Sequence, residues 1–161
     1  MLDEHEQLVV DNIARFGWHG MAIHAEGEAS GFCYSIGLDE FAGAPELIIF
    51  GLEHDAMHSM MWEIARQFQA GRLIVSDMVF NDLIPGRPCI VRPVHQSWFA
   101  EYFGFACWYY YYREKFDRLQ AFQVFWPGER DGLFPWQQGC AAEVMAAQPL
   151  LYNAMIEQAD V

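Results

Sequence analysis

Residues Gly31 to Leu52, GFCYSIGLDEFAGAPELIIFGL, decide how the rest of the chain is arranged. Two apolar runs flank Asp39, Glu40, Gly43 and Pro45, which are residues of loops and turns. The first run alternates: Tyr34 and Ile36 point one way, while Cys33, Ser35 and Gly37 point the other. The second begins at Glu46 and carries Leu47, Ile48, Ile49 and Phe50 on consecutive positions. A strand apolar on both faces is covered on both, so this one belongs inside a sheet.

Working outward, Trp18 to Ala25 has strand character, and the turn EGEAS makes it the hairpin partner of Gly31–Leu38. Ahead of it, residues 3–16 place Leu8, Val9, Ile13 and Phe16 at helical spacing, with Asp3, Glu4 and Glu6 at the positive end and Gly17 as the stop. After Leu52 the period changes. Met57, Met60, Met61, Ile64 and Phe68 form the inner stripe of a helix from about Asp55 to Ala70, and packing on a sheet explains such a stripe better than an adaptable binding face. Leu73–Val79 is expected as a strand, the segment NDLIPGRP as a loop, and Cys89–Val94 as extended. Ser97 is the expected N-cap of a helix running through Phe105 toward Tyr112. Leu119–Trp126 reads as a strand, Phe134–Trp136 as an aromatic cluster folded over the sheet, and residues 140–158 as a helical tail broken near Pro149. Short connections between neighbouring strands predict one α+β domain over residues 1–161, built on a mostly antiparallel sheet with flanking helices.

A chain of 161 residues can bury a substantial core, and 53% hydrophobic with 16% aromatic residues excludes a disordered polar chain. No apolar run is long enough to span a bilayer, and the acidic start MLDEHEQLVV lacks the features of a secretory signal, so a cytoplasmic location and a chain that starts here are expected. Cys33, Cys89, Cys107 and Cys140 have no paired spacing and read as reduced thiols, those in strands as small buried hydrophobes. The net charge of −13, from 22 acidic against 9 basic residues, disfavours nucleic acid and anionic membrane as partners and favours a basic protein. Acidity also serves simply to keep an aromatic-rich protein in solution.

The chemistry-bearing patterns are few. His54 and His58 stand at i and i+4, the spacing with which a helix grips zinc, but Asp55 occupies the place of the usual glutamate and no third ligand is specified among His19, His24 and His95. Solvated histidines at a helix start are the plainer reading. Ser35 lacks the setting of a nucleophile elbow, and no Walker or Gly-x-Gly-x-x-Gly sequence is present. Glu46 and Arg87, each directly ahead of an apolar strand, are expected as a partly buried structural pair. The aromatics from Tyr102 to Tyr112, with Trp126, Phe134 and Trp136, suit a core, a pocket for a flat ligand, or a protein interface.

Phe32, Tyr34, Gly37 and Leu38, then Pro45, Glu46, Leu47, Phe50, Gly51 and Leu52, then Arg92–Pro93, and finally Trp126, Pro127, Gly132, Phe134, Pro135 and Trp136 resemble the motifs of the bacterial domain-of-unknown-function 4262 family. The resemblance covers roughly residues 18–139, outside the helix at 3–16 and the tail at 140–158. Ser35 stands where that family usually has threonine and Ala44 where it often has histidine. It implies a compact bacterial domain and brings no activity or cofactor with it.

The leading expectation is therefore a small acidic, non-enzymatic binding protein without a cofactor, of the kind that serves as an immunity protein against a basic toxin. Tyr34, Glu46, Arg92, Tyr109, Tyr111, Asp131 and Trp136 are its candidate contact residues. The rival is a flavin- or nucleotide-binding enzyme or sensor, with Tyr34, Glu46, Arg92 and Asp131 around an aromatic pocket. A metal-dependent hydrolase built on His54 and His58 ranks third.

Overall fold

The computed structural model describes residues 1–155. Six strands, β1 (His19–Ile23), β2 (Phe32–Ile36), β3 (Glu46–Phe50), β4 (Val79–Ile84), β5 (Arg87–Pro93) and β6 (Ala121–Phe125), form one sheet in the order β1-β2-β3-β6-β5-β4. Only β3 and β6 run parallel; every other neighbouring pair is antiparallel, which makes this single domain α+β. The chain returns to β3 after a long crossover, and β3 lies between β2 and β6 as its unbroken apolar run requires.

Two apolar layers follow from the alternation within the strands. Leu47 and Ile49 of β3 face the layer filled by α3 (His54–Gln69), whose Met57, Met60, Met61, Ile64 and Phe68 are buried at helical spacing. Ile48 and Phe50 face the opposite layer, with Tyr34 and Ile36 of β2, against α1 (Glu4–Phe16) and α5 (Gly104–Tyr112). Asp3 and Glu6 close a reciprocal capping box at the start of α1: the Asp3 side chain accepts from Glu6 N at 2.8 Å, and the Glu6 side chain accepts from Asp3 N at 2.9 Å. Val9 and Ile13 are buried there, whereas Leu8 and Phe16 stay exposed.

Several sequence-based expectations are corrected. The segment expected as a loop after Gly37 contains the short helix α2 (Leu38–Ala42). Leu73–Val79 is not a strand; β4 begins at Val79 and takes Asn81–Ile84 of NDLIPGRP, Pro85 and Gly86 make the hairpin turn, and Arg87 and Pro88 open β5. Asn81 and Asp82 are tolerated because β4 is an edge strand, and Pro88 falls where the β4–β5 register shifts and before the β5–β6 ladder starts, so its missing N–H breaks no rung. Ser97 does not cap a long helix. His95 caps a 3-10 turn, Gln96–Trp98, followed by α4 (Phe99–Tyr102), a break at Phe103, and α5. The tail holds only α6 (Ala142–Ala147) and a turn after Pro149; the remainder of the expected helix, from residue 156 on, lies outside the described residues.

Candidate functional site

Glu46 is the one fully buried carboxyl among the described residues, and no cation meets it. Ser35 Oγ (2.7 Å) and the Leu38 N–H (3.2 Å) donate to Oε1, while the Gly37 N–H (2.8 Å) and the Tyr110 hydroxyl (2.6 Å) donate to Oε2. Ser35 Oγ in turn accepts from the Leu47 N–H. Gly37 has φ of 102°, a left-handed conformation in which β2 can bend sharply into α2 and turn two consecutive N–H groups toward one carboxylate. Burial raises the Glu46 carboxyl to about 7, against the downward pull of its four donors. Arg87 lies elsewhere, donating to the Pro127 carbonyl, so the expected Glu46–Arg87 pair does not form. This buried carboxyl, with its four protein donors, ties together β2, α2, β3 and α5.

The other expected contact residues are scattered. Tyr34 is buried in the α1/α5 layer, where its oxygen accepts from the Phe105 N–H. Arg92 lies over the Trp136 ring at 3.7 Å from its centroid and pairs with Asp77 at 2.8 Å, near the far side of the sheet. Asp131 accepts from the Leu133 N–H within its own turn. Tyr34, Glu46, Arg92 and Asp131 thus each take a separate protein partner, Phe105, Tyr110, Asp77 and Leu133 among them, and none of the four lines the cleft described below. Tyr109 donates to Glu40 at 2.6 Å beside Arg113 and Lys115, at the edge of a groove between α1 and α5, and Tyr111 projects into solvent.

His54 and His58 share a helix face but take different partners. His54 stacks on His24 with centroids 4.7 Å apart, and its Nδ1 is buried without a hydrogen-bond partner. His58 lies over Gly20 of β1, so closely that a Cβ there would fall 2.6 Å from its ring, and packs 5.7 Å from Trp18. No group of three His, Cys, Asp or Glu side chains converges as a metal site among the described residues.

What sequence reading missed is a cleft across the β1 edge, with a volume of about 350 Å³. Asn12 and Phe16 of α1 form one wall, His58 and Trp62 of α3 the other, and Trp18, His19 and Gly20 lie between them. Trp18 and Trp62 pack with centroids 4.9 Å apart, and Trp62 meets Phe41 edge to face. Asn12 Nδ2 donates to His19 Nδ1 at 3.0 Å, which requires His19 to be neutral at that nitrogen. Burial, with a smaller contribution from His58, lowers the His19 pKa and favours that form. The available signal was His58 and Trp62 at i and i+4, but their partners on α1 and β1 are distant in sequence.

The charge around this edge is one-sided. Between Met1 and Met60, Arg15 is the sole Lys or Arg against eleven Asp and Glu residues. Arg66, Arg72, Arg87 and Arg92 lie at the end of α3 or on and around β4 and β5, toward the opposite edge, while Arg113 and Lys115 fold back onto this half and pair with Glu40 and Asp39.

The chain belongs to the family described as Domain of unknown function (DUF4262), whose model matches residues 12–141, a span that contains both the Glu46 network and the cleft. No curated protein and no solved structure matches the chain. No helix among the described residues is long and apolar enough to cross a membrane.

Proposed function

We propose, with that family membership as the premise, that this protein is a non-enzymatic binding protein that captures a basic protein partner, as an immunity protein neutralises a toxin. The observation that carries this reading is the segregation of charge: the first 60 residues hold eleven Asp and Glu against one cation, and although Asp39 and Glu40 pair with Lys115 and Arg113 and Glu46 is buried, Asp3, Glu4, Asp11, Glu26, Glu28, Glu53 and Asp55 stay exposed. A one-sided field of this kind accelerates encounter with a positive surface, and aromatic side chains beside it supply contacts that hold the complex once formed.

The test is affinity purification of the tagged protein from its native host at physiological salt, with quantitative mass spectrometry of whatever remains bound. A stoichiometric protein of high pI, whose toxicity on expression is relieved by this chain, is the expected result. Recovery of a bound flavin, nucleotide or metal without any protein partner overturns it.

A further inference from the structure

We propose that the cleft across the β1 edge is the seat for an arginine side chain of the basic partner. The inference rests on the binding reading above and names where the partner's cation goes.

Three features select this occupant. The walls are aromatic: Phe16 and Trp62 present accessible rings over Trp18, which is itself buried, and an indole face such as that of Trp62 attracts guanidinium more strongly than other side chains do. No Lys or Arg lines the cleft, and the nearest cation in sequence, Arg15, lies over the Phe16 ring, 5.0 Å from its centroid. The Asn12 amide is oriented by its bond to His19, which directs Nδ2 to the imidazole and leaves Oδ1, with no donor among the described residues, to accept from a guanidinium N–H. The volume of about 350 Å³ accommodates the whole side chain. An anion is disfavoured by the net charge of −13 and by Asp11, exposed beside Asn12 on α1, and a neutral aromatic group would leave the Asn12 carbonyl unanswered.

The probe is a blocked peptide, acetyl-Gly-Arg-Val-Arg-Gly-amide, titrated into the full chain and followed by tryptophan fluorescence and by the ring resonances of His19 and His58. Lysine and citrulline versions are run beside it. Saturable binding of the arginine peptide that shifts both imidazoles is expected, with weaker binding of lysine and none of citrulline, which keeps the shape without the charge. Trp62→Leu should weaken the arginine peptide about tenfold. Asn12→Ala should weaken it severalfold while keeping a helix-favouring residue on α1. Equal binding of citrulline, or arginine binding unaffected by both variants, overturns the proposal. The acidic-surface reading fails separately: a full partner whose affinity falls on reversing Asp11, Glu26 and Glu28 to lysine but not with Trp62→Leu removes the cleft and keeps that reading, whereas cleft binding without any basic partner does the opposite.

Discussion

Glu46 holds its proton more tightly than an exposed glutamate because every oxygen lone pair that water would solvate faces protein, and no cation replaces the lost hydration. With the folded carboxyl raised to about 7 and an unfolded value near 4.3, the native state binds the extra proton between those limits. Its contribution to stability is complete below about pH 4 and declines by about 4 kcal/mol as pH rises from there through 7. Glu46→Gln keeps the shape but turns an amide N–H toward the Gly37 N–H or the Tyr110 hydroxyl, at an expected cost of about 1–3 kcal/mol. Urea unfolding of both proteins at pH 5 and pH 7.5 should therefore show the larger gap at pH 5. A gap that widens toward pH 7.5 would mean that the four donors overcome burial and keep Glu46 ionised. Sequence reading placed Glu46 at the head of an apolar strand but chose Arg87 as its partner, since charge complementarity is visible in a sequence and a φ of 102° at Gly37 is not. Ser35 and Tyr110 answer the carboxyl through a fold that brings residues 64 apart together.

Among the elements, α5 shows how a strand can start a helix. It follows the break at Phe103 with no side-chain cap of its own, and the Tyr34 oxygen on β2 accepts from the Phe105 N–H at 3.0 Å. Tyr34→Phe removes that acceptor without changing the buried ring, so a loss of about 1–2 kcal/mol is expected, together with faster amide exchange at Phe105. Tyr111→Phe, at a side chain exposed in solvent, should stay within about 0.5 kcal/mol. A Tyr34→Phe protein as stable as Tyr111→Phe would show that water replaces the phenol. The elements legible in the sequence were those whose apolar pattern reports burial on a known number of faces: α1, β2, β3 and α3 all lie within a residue or two of their expected limits. β4 was not legible, because an edge strand needs only one apolar face and its polar Asn81 and Asp82, followed by Pro85 and Gly86, look like a loop. The cleft was invisible for a related reason. Its walls come from α1, β1 and α3, and nothing local to any one of them reveals that the sheet ends there.

At the scale of the whole molecule, a net charge of −13 acts on a partner only as far as it is unevenly arranged, since charges more than a Debye length of about 8–10 Å away are largely screened at physiological salt. The described elements give it that arrangement: α1 and the β1–β2 turn lie at the acidic edge, while four arginines occupy the end of α3 and the region of β4 and β5. Asp11, Glu26 and Glu28 are exposed, and none lines the cleft, so reversing all three to lysine changes the field while leaving the aromatic seat intact. Against the basic partner, that variant should associate about tenfold more slowly at 50 mM salt, with little change in dissociation rate, and the difference should shrink as salt rises to 500 mM. Trp62→Leu should show the reverse pattern, a faster dissociation that persists at high salt, because desolvated contacts at the centre of an interface act on residence time. Stopped-flow association and surface-based dissociation kinetics separate the two. If both variants altered only the association rate, the cleft would be a bystander within the acidic field; if both altered only dissociation, the charge would be contact chemistry and steering would play no part.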